Sequence, residues 1–451
     1  MKQKHILLIN PWIADFAAYD LWAKPLGLLY VGKFLRKYGY SIDLIDVLDR
    51  NRWGRQKQSC SDSGRGKYKK TIIPKPELLR NIPRNFGLYG AERGQFRSAL
   101  LQVECPDIIL VTSHMTYWYP GVLETVKVLK EVFPDTLIIL GGTYATLCPD
   151  HAKKTIKPDY LICGYGEKKV LRLLDELFGI KRNYGSVPEF DDCGVPPWDL
   201  YDHLDAVPVM TSRGCPNSCS YCATKKLHPC FLQRTVEDVV REIKTVYTKY
   251  KVRNIAFYDD ALFTNSERHI IPILEQIIDS RLNMNFHSPN GLFAREIDLY
   301  LAKLLKKSGF KTIRLSLESS IPKFQKASSG KITNNDFIRA MGNLVEAGFD
   351  TAEIEVYLLM GLPDQTAEHV RESIEFVAEH GAISRLASFS PIPYTAEWTR
   401  AKKMGFVTDG LDPLLTNNSV YTCRNESFPQ QKFSELRQLS NQLNHRQKTK
   451  Q

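Results

Sequence analysis

Long apolar runs are missing from this chain of 451 residues. No stretch approaches the ~18 consecutive apolar residues of a membrane-crossing helix, which excludes a helical membrane span. The apolar part of Met1–Pro11 is too short for a signal peptide and reads as a buried strand, so the cytoplasm is the expected compartment. Cysteine is sparse: ten residues with no regular framework, which excludes a disulfide scaffold and fits a reducing compartment. No internal repeat is present beyond an alternation of strands and helices. Acidic residues are scarce in one place only. Residues 50–84 hold eleven Lys and Arg against two acids, Asp62 and Glu77, while the remainder carries 50 against 48. With Trp53 and Tyr68 inside it, this basic insertion has the composition of a nucleic-acid or phosphate contact. No recognised nucleic-acid module accompanies it, and a solvated loop is the expectation.

A hydrophobic content of 43% and a charged content of 25% are those of an ordinary globular protein. The length allows two or three domains with substantial cores.

The cysteines that are present are not scattered evenly. Cys215, Cys219 and Cys222 fall within eight positions, in Thr-Ser-Arg-Gly-Cys-Pro-Asn-Ser-Cys-Ser-Tyr-Cys-Ala. Gaps of three and two residues leave no room for regular structure, and Gly214 and Pro216 mark a turn. Thiolates select zinc or iron–sulfur centres. Three ligands are one short of closing either kind of site, and an open position is where chemistry occurs. A zinc knuckle completed by His228 or Cys230, in a zinc-stabilised binding module, is the non-enzymatic alternative. The spacing CxxxCxxC with Tyr221 before the last cysteine resembles the signature of the radical S-adenosylmethionine (SAM) superfamily. The resemblance implies that Cys215, Cys219 and Cys222 bind three irons of a 4Fe–4S cluster and that the fourth iron takes SAM. It further implies reductive cleavage of SAM to a 5′-deoxyadenosyl radical.

Residues 1–180 alternate strand-like runs with amphipathic segments, the pattern of a doubly wound parallel sheet that binds its ligand at the strands' carboxyl ends. Lys24-Pro25-Leu26-Gly27-Leu28-Leu29, a strand ending in Ser113, Gly141-Gly142 and Gly164-Tyr165-Gly166-Glu167 resemble the Rossmann-like (flavodoxin-like) cobalamin-binding domain that precedes many radical SAM cores. That resemblance makes Ser113, Gly141 and Gly142 the cobalamin-side candidates. The loop Pro11–Lys24 lacks the Asp-x-His-x-x-Gly motif that supplies a lower axial histidine in cobalamin mutases. The expectation is therefore a cobalamin without a protein histidine beneath it. A domain that has lost its ligand and only packs on the core is the alternative.

Residues 181–206 are proline-rich and read as a linker. Residues 207–403 contain six strand–helix units, which close as a partial (β/α)6 TIM-type barrel with active groups at the strands' carboxyl ends. The resemblance carries the SAM-binding roles onto these ends. Asp259 and Asp260 are placed to hold the SAM amine, which a carboxylate suits. Ser316 and Glu318 are placed at the ribose or methionine carboxylate, and Gly361 and Pro363 along the adenine. His114, His228 and His287 read as ordinary residues. Residues 404–451 form a C-terminal extension whose last part, Asn444–Gln451, is expected to fray. The function implied is a cobalamin-dependent methyltransferase acting on an unactivated carbon of a small molecule. Its reductant would be a flavodoxin or ferredoxin. A radical SAM oxidoreductase, a cyclase and a tRNA methylthiotransferase are the enzymatic alternatives.

Overall fold

The computed structural model describes residues 3–54, 63–182, 194–327 and 330–449. The chain divides into two compact units, Met1–Val207 with Asp412–Leu415, and Pro208–Leu411 with Thr416–Gln451.

In the first unit, strands β1 (His5–Asn10), β2 (Ser41–Asp46), β3 (Ile108–Val111), β4 (Leu137–Leu140) and β5 (Tyr160–Leu161) form a parallel sheet in the order β5-β4-β3-β1-β2. Every residue of β1 and β3 is buried, as expected of parallel strands covered on both faces. The helix Leu26–Lys37 contributes Leu28, Leu29, Phe34 and Leu35 to that core.

The described part of the basic insertion is built into the fold and is not a solvated loop. Ile13–Asp15, Gly87–Tyr89 and Lys70–Ile72 form a three-stranded antiparallel sheet, and Tyr19–Asp20 pairs with Gly66–Lys67. Ile13, Leu48, Tyr68 and Tyr89 make a small core beneath them. Several cations serve internal bonds. Arg50 Nε pairs with Asp20 at 2.7 Å with both side chains buried, and Lys70 Nζ donates to the carbonyls of Phe16 and Asn85. Lys69 pairs with Glu92. These segments also line an open cleft of about 440 Å³, bordered by Tyr19, Lys67, Tyr68, Lys70 and Tyr89. Residues 55–62 of the insertion lie outside the described residues.

The expected linker is likewise more than a tether where it is described, at residues 181–182 and from Gly194 onward, with 183–193 outside the described residues. Trp198 is fully buried, Tyr201 OH donates to Asp46 Oδ2 at 2.7 Å, and Asp199 pairs with Arg36. Two large aromatic side chains anchor the segment, so its prolines bend a packed chain.

In the second unit, β6 (Ala206–Val209), β7 (Asn254–Phe257), β8 (Asn285–His287), β9 (Phe310–Glu318), β10 (Ile354–Met360) and β11 (Ile383–Ser388) form one sheet in chain order. That order is the partial (β/α)6 barrel. Several intervening helices begin at side-chain caps, such as Thr235 accepting from Asp238 N and Thr366 accepting from His369 N. Strand β10 shows how the barrel acquires two faces. Ile354, Val356, Leu358 and Met360 are buried, while Glu355, Tyr357 and Leu359 alternate with them and are only partly buried.

The expectation of a frayed end is corrected for residues 444–449, and Lys450 and Gln451 lie outside the described residues. A helix runs over Gln430–Thr449. Asn444 Oδ1 accepts from Ser384 N, and Asn444 Nδ2 donates to Ser384 O, each at 2.9 Å. Strand β11 lies at the sheet edge with unpaired backbone groups, and the polar residues of the tail satisfy them. Among the described residues, no helix is long and apolar enough to cross a membrane.

Candidate active site

The cysteine loop is held open by a short antiparallel pair, in which Ser212 lies opposite Gln233 and Arg213 opposite Leu232. Cys222 N donates to Cys219 O at 3.1 Å, which closes the turn between these two cysteines. Two distant segments clamp the loop. Ser220 N donates to Ala327 O, Glu397 N donates to Ser220 O, and Ser220 Oγ donates to Glu397 Oε1 at 2.8 Å. Cys215 is buried, Cys219 is partly buried and Cys222 is exposed, and all three are free thiols. Burial pushes the Cys215 and Cys219 thiols up, while the Lys331 ammonium pulls Cys219 down.

Lys331 is a residue that sequence reasoning missed. Its side chain is 8% exposed and pairs with Glu318 Oε1 at 2.9 Å. It also donates to Tyr221 OH at 3.1 Å. The Tyr221 hydroxyl is in turn within hydrogen-bonding reach of Cys219 and Glu318. Burial opposes the lysine's charge, yet Glu318 and the Cys219 and Cys215 thiols keep it protonated. A buried cation beside two of the thiols, Cys219 and Cys215, fits an anionic, thiolate-held centre. Glu318 itself sits at φ 64°, after a register shift in the β9–β10 ladder between Ser316 and Glu318. A bulge of this kind re-aims a side chain at a cost in strain, and such strain collects at functional sites. We expect Lys331→Met to lower the reduced fraction of a reconstituted cluster about tenfold at a fixed potential, about 59 mV for one electron. The cation stabilises the more negative, reduced form. Electron paramagnetic resonance during a redox titration reads the shift, and an unchanged midpoint would remove the electrostatic role.

The two neighbouring aspartates have different fates. Asp259 is 2% exposed. Its carboxylate accepts from Thr211 N, from Thr211 Oγ1 at 2.7 Å and from Ser212 Oγ at 2.6 Å. Those bonds pin the strand that leads into the cysteine loop, so the expectation that Asp259 holds the SAM amine is corrected. Asp260 is the one aimed at the loop. Burial first, and the Asp259 charge second, push its pKa up to about 6, while a bond from the Gly214 backbone works the other way. A carboxylate held in this condition is relieved by a cationic ligand.

Ser316 is buried and its hydroxyl donates to Leu292 O at 3.2 Å. The amides of Gly361 and Leu362 donate to Gln365 Oε1, and Pro363 is buried beside them. Gly361 has φ 97°, and a Cβ there would lie 2.8 Å from the Phe433 ring. Its missing side chain therefore makes room for the C-terminal helix. A second missed group lies on the polar face of β9–β11. Arg314 Nε donates to Glu355 Oε2 at 2.7 Å, Arg385 also pairs with Glu355, and Tyr357 OH accepts from Arg314. The signal was available as charges inside otherwise apolar strands. Of the outlying cysteines, Cys423 is buried and Cys230 is exposed.

In the first unit, Ser113 is 1% exposed. Its hydroxyl donates to Gly141 O at 2.6 Å and accepts from Ala145 N at 3.2 Å. It ties the ends of β3 and β4 together, which commits its one donor and leaves one acceptor lone pair at the strand end. Gly142 is needed for backbone approach. With φ 94°, a Cβ there would fall 2.3 Å from Ser113 O. Gly141 is different: the nearest atom to its Cβ is Ile162 O at 3.7 Å. Open space at the carboxyl end of β4 is the place a parallel sheet offers a ligand, and it fits the expected cobalamin.

A doubly wound sheet followed by a (β/α)6 partial barrel, with a thiol triplet after the first barrel strand, defines a class: a radical-forming enzyme with a second cofactor domain. Comparison with known proteins agrees with this division into two domains. The model of the radical SAM superfamily matches residues 209–377, and that of the B12 binding domain matches residues 95–174. The chain thus carries a radical SAM domain, which implies a 4Fe–4S cluster and SAM, and a B12 binding domain, which implies cobalamin. It is 25% identical to an uncharacterized methyltransferase of Pyrococcus horikoshii over 66% of this chain and 69% of that protein. It is 22% identical to cytidylyl-2-hydroxyethylphosphonate methyltransferase of Streptomyces wedmorensis, over 90% of this chain and 83% of that protein. The fold is similar to that of the radical SAM methyltransferase TsrM of Kitasatospora setae, with a TM-score of 0.66 at 16% identity, covering 90% of this chain and 77% of that one.

Proposed function

We propose that this enzyme methylates an unactivated carbon of a small-molecule substrate. The observation that carries the reading is the open thiol triplet with Lys331 and Asp260 turned to it, in a chain that also matches the B12 binding domain. The bound cofactors supply a carbon-centred radical and a methyl group. The protein's part is to position them and to keep water away. Cys215, Cys219 and Cys222 hold the cluster, and Asp260 receives the ammonium of SAM. Tyr221 and Lys331 fix the loop from behind. Arg314, Glu355, Tyr357 and Arg385 present hydrogen-bonding groups from the barrel strands, and these suit a polar substrate. A flavodoxin or ferredoxin in the cytoplasm is the electron donor that fits.

Anaerobic reconstitution with iron, sulfide, cobalamin and SAM tests this, with 5′-deoxyadenosine and methylation of a cell extract followed together. Gly141→Val is the informative variant, because its Cβ meets only open space whereas one at Gly142 would collide with backbone. It should lose cobalamin yet keep the iron–sulfur absorption and uncoupled SAM cleavage. Wild-type protein that cleaves SAM but never retains cobalamin would leave a radical SAM enzyme without methyl transfer.

A further inference from the structure

The loop Pro11–Lys24 contains no histidine, but the carboxyl edge of the same sheet does. His114 follows β3, and its Nε2 lies 3.2 Å from Asn10 Oδ1 at the end of β1. Asn10 Nδ2 donates to Asp46 Oδ1 at 2.7 Å, at the end of β2. Asp46 also accepts from Leu48 N and from Tyr201 OH. Three adjacent strands thus end in one chain of hydrogen bonds, His114–Asn10–Asp46–Tyr201. The chain fixes the tautomer. A carboxylate oxygen accepts, so the amide nitrogen of Asn10 must face Asp46 and its oxygen must face His114. Nε2 then carries the proton, and Nδ1 keeps its lone pair. Among the described residues, nothing bonds to that Nδ1. Burial holds the ring's pKa down at about 4, so the lone pair is present at neutral pH.

The other histidines described in this unit are differently placed. His5 opens β1 at the amino end and pairs with Asp43. His151 is bonded through Nδ1 to Tyr144 and through Nε2 to Thr155. His203 is exposed and pairs with Asp205. Only His114 combines an open ring nitrogen with the edge where a parallel sheet takes its ligand. A metal-binding imidazole typically donates its second N–H to an oxygen that is itself hydrogen-bonded, which orients the ring and raises its basicity. Asn10 and Asp46 supply that support.

We propose that His114 presents Nδ1 to the lower face of the cobalt, with Asn10 and Asp46 as its positioning residues. The inference rests on the cobalamin-binding reading, and it replaces the expectation of a cobalt with no protein nitrogen below it. The test uses the full chain loaded anaerobically with cobinamide, which lacks the nucleotide base, so that a nitrogen on cobalt comes from the protein. After reduction to the cobalt(II) state, electron paramagnetic resonance should show each cobalt line split into three. Labelling histidine with nitrogen-15 should turn each three into two. His114→Ala should abolish the splitting, and Asn10→Leu should weaken cobinamide retention about tenfold. Absorbance after desalting separates the two claims. No retained corrinoid by the wild type, with cobinamide or with cobalamin, overturns the binding reading and this one with it. Retained corrinoid without nitrogen splitting, or splitting that survives in His114→Ala, overturns the assignment of His114 alone.

Discussion

Cys219→Ala is expected to abolish 5′-deoxyadenosine formation and to lose most of the iron on desalting, while the first unit stays folded. The expectation follows from what Cys219 touches. It is the thiol within reach of Tyr221 and under the field of Lys331, so its loss removes a ligand and leaves the Lys331–Glu318 pair facing a vacancy. A radical SAM centre has only three protein ligands and cannot spare one. The measurements are iron and sulfide content, absorption near 400 nm and SAM cleavage under dithionite. Circular dichroism confirms that the chain remains folded. Undiminished SAM cleavage by the variant would sink the assignment of the triplet.

Asp259→Ala and Asp260→Asn should separate a carboxylate that holds the fold from one that awaits a ligand. Removing Asp259 leaves Thr211 N, Thr211 Oγ1 and Ser212 Oγ without their acceptor. Each orphaned buried group costs about 1–3 kcal/mol, and the three together are expected to lower unfolding stability by roughly 3–9 kcal/mol. Asp260→Asn should do the reverse in sign. The Asp260 carboxyl is raised in the folded protein. It favours folding at low pH, and that contribution fades as pH rises through about 6. The amide removes this dependence, so the variant should be no less stable than the parent at pH 7. Its defect should appear in SAM affinity, weakened about tenfold or more by loss of a charge-assisted bond. Denaturant titrations at pH 5 and pH 7, with equilibrium SAM binding, check both halves. Equal stability losses in the two variants would contradict the division of roles.

These two residues also mark where the sequence stops being legible. The thiol triplet and the order of the barrel strands could be read, because ligand spacing and strand–helix periodicity are local properties. Asp259 and Asp260 are adjacent carboxylates at one strand end. Successive side chains of extended backbone point to opposite faces, and nothing local says which face holds Thr211 and Ser212. Lys331 was invisible for a related reason. It lies more than a hundred residues beyond Cys222 and is brought back by the strand β9 and its bulge. Ser113 was found at the right edge, but its hydroxyl also bridges Gly141 and Ala145, a tie that no local pattern shows. Composition misled for the basic insertion. Its charges suggested a solvated surface, whereas Arg50, Lys69 and Lys70 meet partners that lie outside the insertion.

The clamp on the cysteine loop bears on how the enzyme is made in the cell. Ser220 is held by Glu397, 177 residues later in the chain. At ribosomal speeds of 5–20 residues per second, roughly ten to thirty seconds separate the two. During that interval the thiols have been synthesised but their loop is not yet locked. The tie to Glu397 can therefore form only after the segment beyond the last barrel strand has been made. The order of translation thus makes the cysteine loop one of the last parts of the second unit to be fixed.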